Sequence, residues 1–73
     1  MPIEAVEAPL PGKILNVTAK PGDSIEESGE ICTIEAMKME TPILAPVAGT
    51  VKQVSVSAGQ TIQAGELIAE IEY

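Results

Sequence analysis

Shifted by 37 positions, this 73-residue chain aligns with itself: residues 8 to 35 fall on residues 45 to 72 without a gap, and nine of those 28 positions are identical. The identities are Ala8/Ala45, Pro9/Pro46, Gly12/Gly49, Val17/Val54, Gly22/Gly59, Ile25/Ile62, Ile31/Ile68, Ile34/Ile71 and Glu35/Glu72, and Ile14/Val51, Asn16/Gln53 and Ser24/Thr61 are conservative pairs. A repeat with glycines and β-branched residues in register constrains architecture before any local propensity does, because each copy must solve the same burial problem in the same way.

Within each copy the pattern is that of short strands. Apolar or small residues alternate with polar ones in Leu15-Asn16-Val17-Thr18-Ala19 and in Val54-Ser55-Val56, as expected when one face is buried. Turn signals separate the runs at Pro9-Leu10-Pro11-Gly12, Pro21-Gly22-Asp23, Ala58-Gly59-Gln60 and Gly65-Glu66. No stretch of ten or more residues between these breakers keeps an apolar period near 3.6, so little or no helix is expected. Two matching sets of strands predict a single all-β domain over residues 1–73, a small sandwich or flattened barrel with approximate twofold symmetry. Ser28 stands where the second copy has Gly65, so these two turns are expected to differ in detail. Residues 36 to 44 form a junction that neither copy duplicates.

Composition narrows the function. There is no histidine and one cysteine, Cys32, so neither an internal disulfide nor a His/Cys metal cluster is available, and stability must come from an aliphatic core. Four lysines, Lys13, Lys20, Lys38 and Lys52, stand against 11 acidic residues, a net charge of -7, and Tyr73 is the one aromatic residue. Nucleic-acid binding, which needs a basic face and stacking aromatics, is not expected. An acidic surface is repelled by anionic membranes, and no apolar run approaches the roughly 18 residues of a span. The start, Met1-Pro2-Ile3-Glu4, lacks a basic region ahead of an apolar one. A soluble cytoplasmic protein without direct membrane insertion is expected, and the lone cysteine is compatible with a reducing compartment.

The unduplicated junction holds Glu35-Ala36-Met37-Lys38-Met39-Glu40, a lysine between two methionines in a turn between strand-like runs. Ordinary turn chemistry would place Gly, Asn or Asp there. Exposed thioethers beside an exposed amine make a recognition surface more than a turn chosen for geometry. The hexapeptide resembles the attachment motif of the biotinyl domain (biotin carboxyl carrier) family, whose hallmark is Ala-Met-Lys-Met. The resemblance runs from about Glu7 to Glu72 and takes in Ala8-Pro9, Gly12, Gly22-Asp23, Ala45-Pro46 and Gly49.

That resemblance implies a flattened β-barrel, a barrel-sandwich hybrid of two similar four-stranded antiparallel sheets, with the modified lysine at a tight hairpin and the termini at the opposite end. It implies covalent biotin on Lys38 as the cofactor, and Glu35, Ala36, Met37 and Met39 as the surface that a biotin protein ligase inspects. It also implies a non-catalytic carrier, which shuttles a carboxyl group between biotin carboxylase and carboxyltransferase or decarboxylase sites of a biotin-dependent carboxylase, decarboxylase or transcarboxylase. A lysine suits the task because a primary amine on a flexible stem attacks an activated carboxyl to give a stable, uncharged, mobile amide. Lipoyl carriers share the fold and a hairpin lysine, but they usually carry Asp before it and Ala or Val after it, unlike Met37 and Met39. An unmodified assembly module is the other alternative, and it would have no need of the Met-Lys-Met surface. The chain looks too short for the thumb-like insertion of some acetyl-CoA carboxylase carriers, and its last residues suit either a C-terminal carrier domain or a small separate subunit.

The remaining candidates have simpler readings. Cys32, in Ile31-Cys32-Thr33-Ile34, is expected to pack as a small buried residue. Glu26-Glu27 and Glu70/Glu72 are expected to form a solvated face and not an acid–base pair. The glycines match no phosphate-binding loop. Pro42, just past the hairpin, disfavours pairing at a sheet edge.

Overall fold

The computed structural model describes residues 2–73, and Met1, the first residue of the start read for targeting signals, lies outside them. The breakers cut the chain into eight strands: β1 (Ile3–Glu7), β2 (Gly12–Val17), β3 (Ser24–Ile25), β4 (Glu30–Ala36), β5 (Met39–Leu44), β6 (Gly49–Val54), β7 (Thr61–Ile62) and β8 (Leu67–Glu72). No helix is present among the described residues.

The strands form two four-stranded sheets, ordered β1-β8-β6-β3 and β5-β4-β2-β7, and every pairing is antiparallel. Each sheet borrows one short strand from the other copy: β7 pairs with β2, and β3 pairs with β6. Backbone bonds repeat the exchange. Gly22 N–H donates to Val51 O and Gly59 N–H to Ile14 O, both at 2.7 Å, while Ile14 N–H donates to Gln60 O and Val51 N–H to Asp23 O, both at 2.8 Å. The copies therefore complete one another, and neither has a finished sheet by itself.

Equivalent positions are buried in both copies. Ile14 and Val51, Ile31 and Ile68, and Ile34 and Ile71 are all at 0% exposure, and the edge strands contribute Val6 and Ile43 at 6% each. Each fully buried isoleucine contributes roughly 2–3 kcal/mol of transfer free energy, which is how an all-aliphatic core serves a chain of this size. No charged or polar side chain is buried among the described residues. The ladders are irregular at matched places too, between Ile14 and Asn16 in β2 and between Val51 and Gln53 in β6. The outer strands β1 and β5 each pair on one side, so the barrel is a flattened sandwich and not a closed cylinder.

Three sequence expectations change, the first being that Pro42 disfavours pairing: it sits opposite Thr33 within edge strand β5, whose pairing runs on to Leu44. The junction 36–44 is not unique as structure: Met39–Leu44 is strand β5, which lies in its sheet where β1 lies in the other, and it pairs with β4 as β1 pairs with β8. The sequences of β1 and β5 have diverged while the alternation that buries Val6 and Ile43 remains, so identity alone hid the match. The strand read at Val54-Ser55-Val56 ends at Val54, and that at Leu15–Ala19 ends at Val17. Beyond those ends, Ser55 and Thr18 keep one bond each to Ile68 O and Ile31 O, and the alternation survives because Val56 and Ala19 tuck into the core. The turns at Ser28 and Gly65 differ in detail as expected, although Ser28 (φ 70°) adopts the left-handed backbone of Gly65 (φ 86°), and their N–H groups bond Ala45 O and Ala8 O, both at 2.8 Å. Only the side-chain cap differs: Glu66 accepts from Gln63 N–H, and Gly29 at the matching place has no side chain to do so.

Register orders the molecule from end to end. Glu72 pairs with Ile3 and Thr50, and Tyr73 N–H donates to Pro2 O at 3.0 Å, so both termini share one end. At the far end of β1, Glu7 pairs with Leu67, and a short connection then brings Gly12 and Lys13 beside Glu35 at the end of β4. The β4–β5 hairpin therefore caps the end opposite the termini of a body measuring 36 × 18 × 17 Å.

Candidate functional site at the β4–β5 hairpin

The hairpin closes with Ala36 opposite Met39 and Glu35 opposite Glu40, leaving Met37 and Lys38 as a two-residue connection. Both central residues have positive φ, 54° at Met37 and 66° at Lys38, the geometry of a type I′ turn, whose twist matches that of the strands it joins. That turn normally takes Asn-Gly. Holding a Cβ-bearing residue in the left-handed region costs about 1 kcal/mol or more at each position, so this pair opposes the local preference twice.

Exposure follows from the turn. Met37 is 92% exposed and Met39 70%, and Lys38 and Glu35 are also at the surface, whereas Ala36 is 8% exposed and lies beneath the tip. Of the five residues singled out from sequence, four are presented to solvent and one supports them from below. Two large apolar side chains stand in water beside a primary amine, which is unfavourable for an isolated domain and useful for one that is grasped.

Three residues that the sequence reading did not assign to the site belong to its base. Glu40 faces Glu35 across the ladder, a like-charge pair with no stabilising value of its own, and Lys13 sits beside Glu35 on the other flank. Gly12 lies against the Glu35 carbonyl and the Ala36 methyl. Only strand register reveals Glu40, while the Gly12/Gly49 identity was a visible signal.

No other group competes for a chemical role. Cys32 is at 0% exposure, and burial, with a smaller contribution from the Glu30 charge, pushes its thiol up to about 11, so it is neither accessible nor ionised near neutrality. Glu70 and Glu72 project from alternate positions of β8, each half-buried, and Glu26 and Glu27 are solvated. Among the described residues no cluster of His, Cys, Asp or Glu is placed to hold a metal ion.

A two-sheet body that holds Lys38 out on a strained turn is an architecture suited to presenting one side chain. The comparisons assign the family: a family profile described as "Biotin-requiring enzyme" matches residues 4–71, and the chain belongs to this family of biotinyl domains. The chain is 46% identical over 67 residues to the mitochondrial propionyl-CoA carboxylase alpha chain of Homo sapiens, covering 92% of this chain and 9% of that protein. It is 48% identical over 68 residues to the biotinylated protein TB7.3 homolog of Mycobacterium leprae, covering 93% of this chain and 96% of that one. The crystal structure of the Kluyveromyces lactis urea carboxylase superposes on 99% of this chain and 6% of its own length, with a TM-score of 0.91 at 29% identity. The family is a non-catalytic carrier whose cofactor is covalently attached biotin.

Proposed function

We propose that Lys38 is the residue to which biotin is joined, and that the domain carries a carboxyl group between two active sites of a biotin-dependent enzyme. The observation that carries this reading is the exposed Lys38 on a turn whose backbone and flanking methionines are unfavourable for stability yet suited to presentation. The residues fit the group. An unhindered amine attacks an activated biotin carboxyl held by a biotin protein ligase; the amide C–N bond forms, the activating group leaves, and a proton is lost from nitrogen.

When bound, biotin supplies a ring nitrogen that holds the carboxyl group. The chain supplies tethering. The lysine stem, extended by the amide, gives reach, and the sandwich keeps the stem's origin fixed, so that effective concentrations of about millimolar are reached at both sites without release. The acidic surface suits a small carrier that must remain soluble while it moves between a biotin carboxylase site and a carboxyltransferase or decarboxylase site. No helix of the described residues is long and apolar enough to cross a membrane, and we place the domain in the cytoplasm with its ligase and parent enzyme.

The test is the intact mass of the domain after incubation with biotin protein ligase, ATP and biotin, beside the Lys38→Arg variant. One biotin adduct on the wild type and none on the variant is expected. An adduct on both would move the site elsewhere, and an adduct on neither, with lipoate ligase then adding lipoate, would replace biotin by lipoate.

A further inference from the structure

Gly12 and Gly49 occupy the same position in the two copies, at the start of β2 and of β6, and neither has a positive φ. What excludes a side chain is contact. A Cβ on Gly12 would stand 2.6 Å from the Glu35 carbonyl oxygen and 3.3 Å from the Ala36 Cβ. A Cβ on Gly49 would overlap the Glu72 carbonyl oxygen and stand 3.0 Å from Ile71 Cγ2. The steric demand is thus the same at both ends of the molecule, and what lies beyond it differs. Past Glu72 the described chain has only Tyr73, whereas past Glu35 come Ala36, Met37 and Lys38.

We infer that Gly12 is a positioning residue for modification: by letting β2 lie directly under the end of β4, it sets where the hairpin, and with it the Lys38 amine, stands relative to the ligase. The inference rests on Lys38 being the modified residue. Lys13 pairs with Glu35 in the ladder that joins β2 to β4, so Gly12, the first residue of β2, lies beside the end of β4 at the base of the hairpin. Because the crowding atoms are backbone and a buried methyl, they cannot swing away. An added Cβ must lift the Glu35–Ala36 peptide and tilt the turn. Displacements near 1 Å at a reacting group can cost about 100-fold in rate, far more than the same shift costs in packing.

The twofold repeat supplies the control. Gly12→Ala and Gly49→Ala should lose comparable thermal stability, and both are assayed with ligase at a temperature where their amide spectra show folded chain. The expected result is a fall of about tenfold or more in kcat/KM for Gly12→Ala, carried by displaced amide resonances from Ala36 to Met39, with Gly49→Ala within about twofold of wild type. Equal rates for the two variants would overturn the inference. If Gly12→Ala does not fold, Ala36→Gly perturbs the same hairpin base by removing the methyl that faces Gly12, without adding an atom. Ala36 is 8% exposed, so its methyl lies beneath the exposed side chains of Glu35, Met37 and Met39, and slower modification is expected; an unchanged rate would overturn the inference equally. Wild-type chain that accepts no biotin would instead refute the carrier reading, a different result from either of these.

Discussion

Met37 and Lys38 are consecutive, and both hold left-handed backbone, with φ of 54° and 66°, in a turn without glycine. Stability and function are therefore set against each other at one position. Met37→Asn, which suits the first centre of a type I′ turn, should raise stability by up to about 1 kcal/mol and slow biotinylation. Thermal midpoints and ligase rates measured on the same samples check this. A gain in stability with no loss of rate would mean that the exposed thioether is not recognised.

Lys38→Arg keeps the charge and the stem but not a primary amine. It should abolish modification while changing folding free energy by less than about 0.5 kcal/mol, because an exposed side chain without packing partners is usually that tolerant. Urea denaturation gives the second number. A large destabilisation would assign Lys38 a structural role.

Cys32 makes stability depend on alkaline pH. Its thiol is pushed up to about 11 in the folded chain from an ordinary 9.0, first by burial and then by the Glu30 charge. The unfolded thiol therefore ionises first, so this contribution is intact below about pH 9 and lost as pH rises through about 11. Urea midpoints should fall more steeply over that window for wild type than for Cys32→Ala, which places in β4 the alanine that β8 has as Ala69. Parallel curves would show that the thiol is not shielded. Alkylation of Cys32 at pH 8 should likewise wait for unfolding.

Ile34 and Ile71 are twofold mates, both at 0% exposure. Ile34→Ala and Ile71→Ala should each cost about 2–5 kcal/mol, a large part of the stability of so small a domain, and should agree within about 1 kcal/mol. Chemical denaturation at low temperature measures both. Tolerance of one and not the other would mean that the core is less symmetric than the backbone.

Much of the fold was legible because repeat and alternation are local in sequence. The glycine and isoleucine identities predicted two matched sets of strands, and Met37 and Met39 drew attention to Lys38 because they stand where turn-formers belong. The equivalence of β5 with β1 was hidden, since Val6 and Ile43 are alike only in what they bury. The ends of β2 and β6 were overrun because Ala19 and Val56 stay buried after the ladder has ended, and burial alone does not distinguish a strand from a tucked loop. The turns at Ser28 and Gly65 were expected to differ in detail, and they do so in the side-chain cap, while the bond from Ser28 N–H to Ala45 O holds it in the backbone conformation of Gly65.

By itself the sequence determined the all-β class, the duplication and the aliphatic core, which follow from residue types and their spacing, while its resemblance to the biotinyl family singled out Lys38 as the residue we propose is modified. Tertiary structure decided that each copy lends a short strand to the other's sheet, that Glu40 faces Glu35, and that Gly12 underlies the hairpin while its twin Gly49 underlies the chain end. The strand exchange and the Gly12 contact pair residues far apart along the chain, and Glu40 meets Glu35 through the register of the hairpin. Strand order and register set them, through backbone ladders together with the burial of one face of each strand.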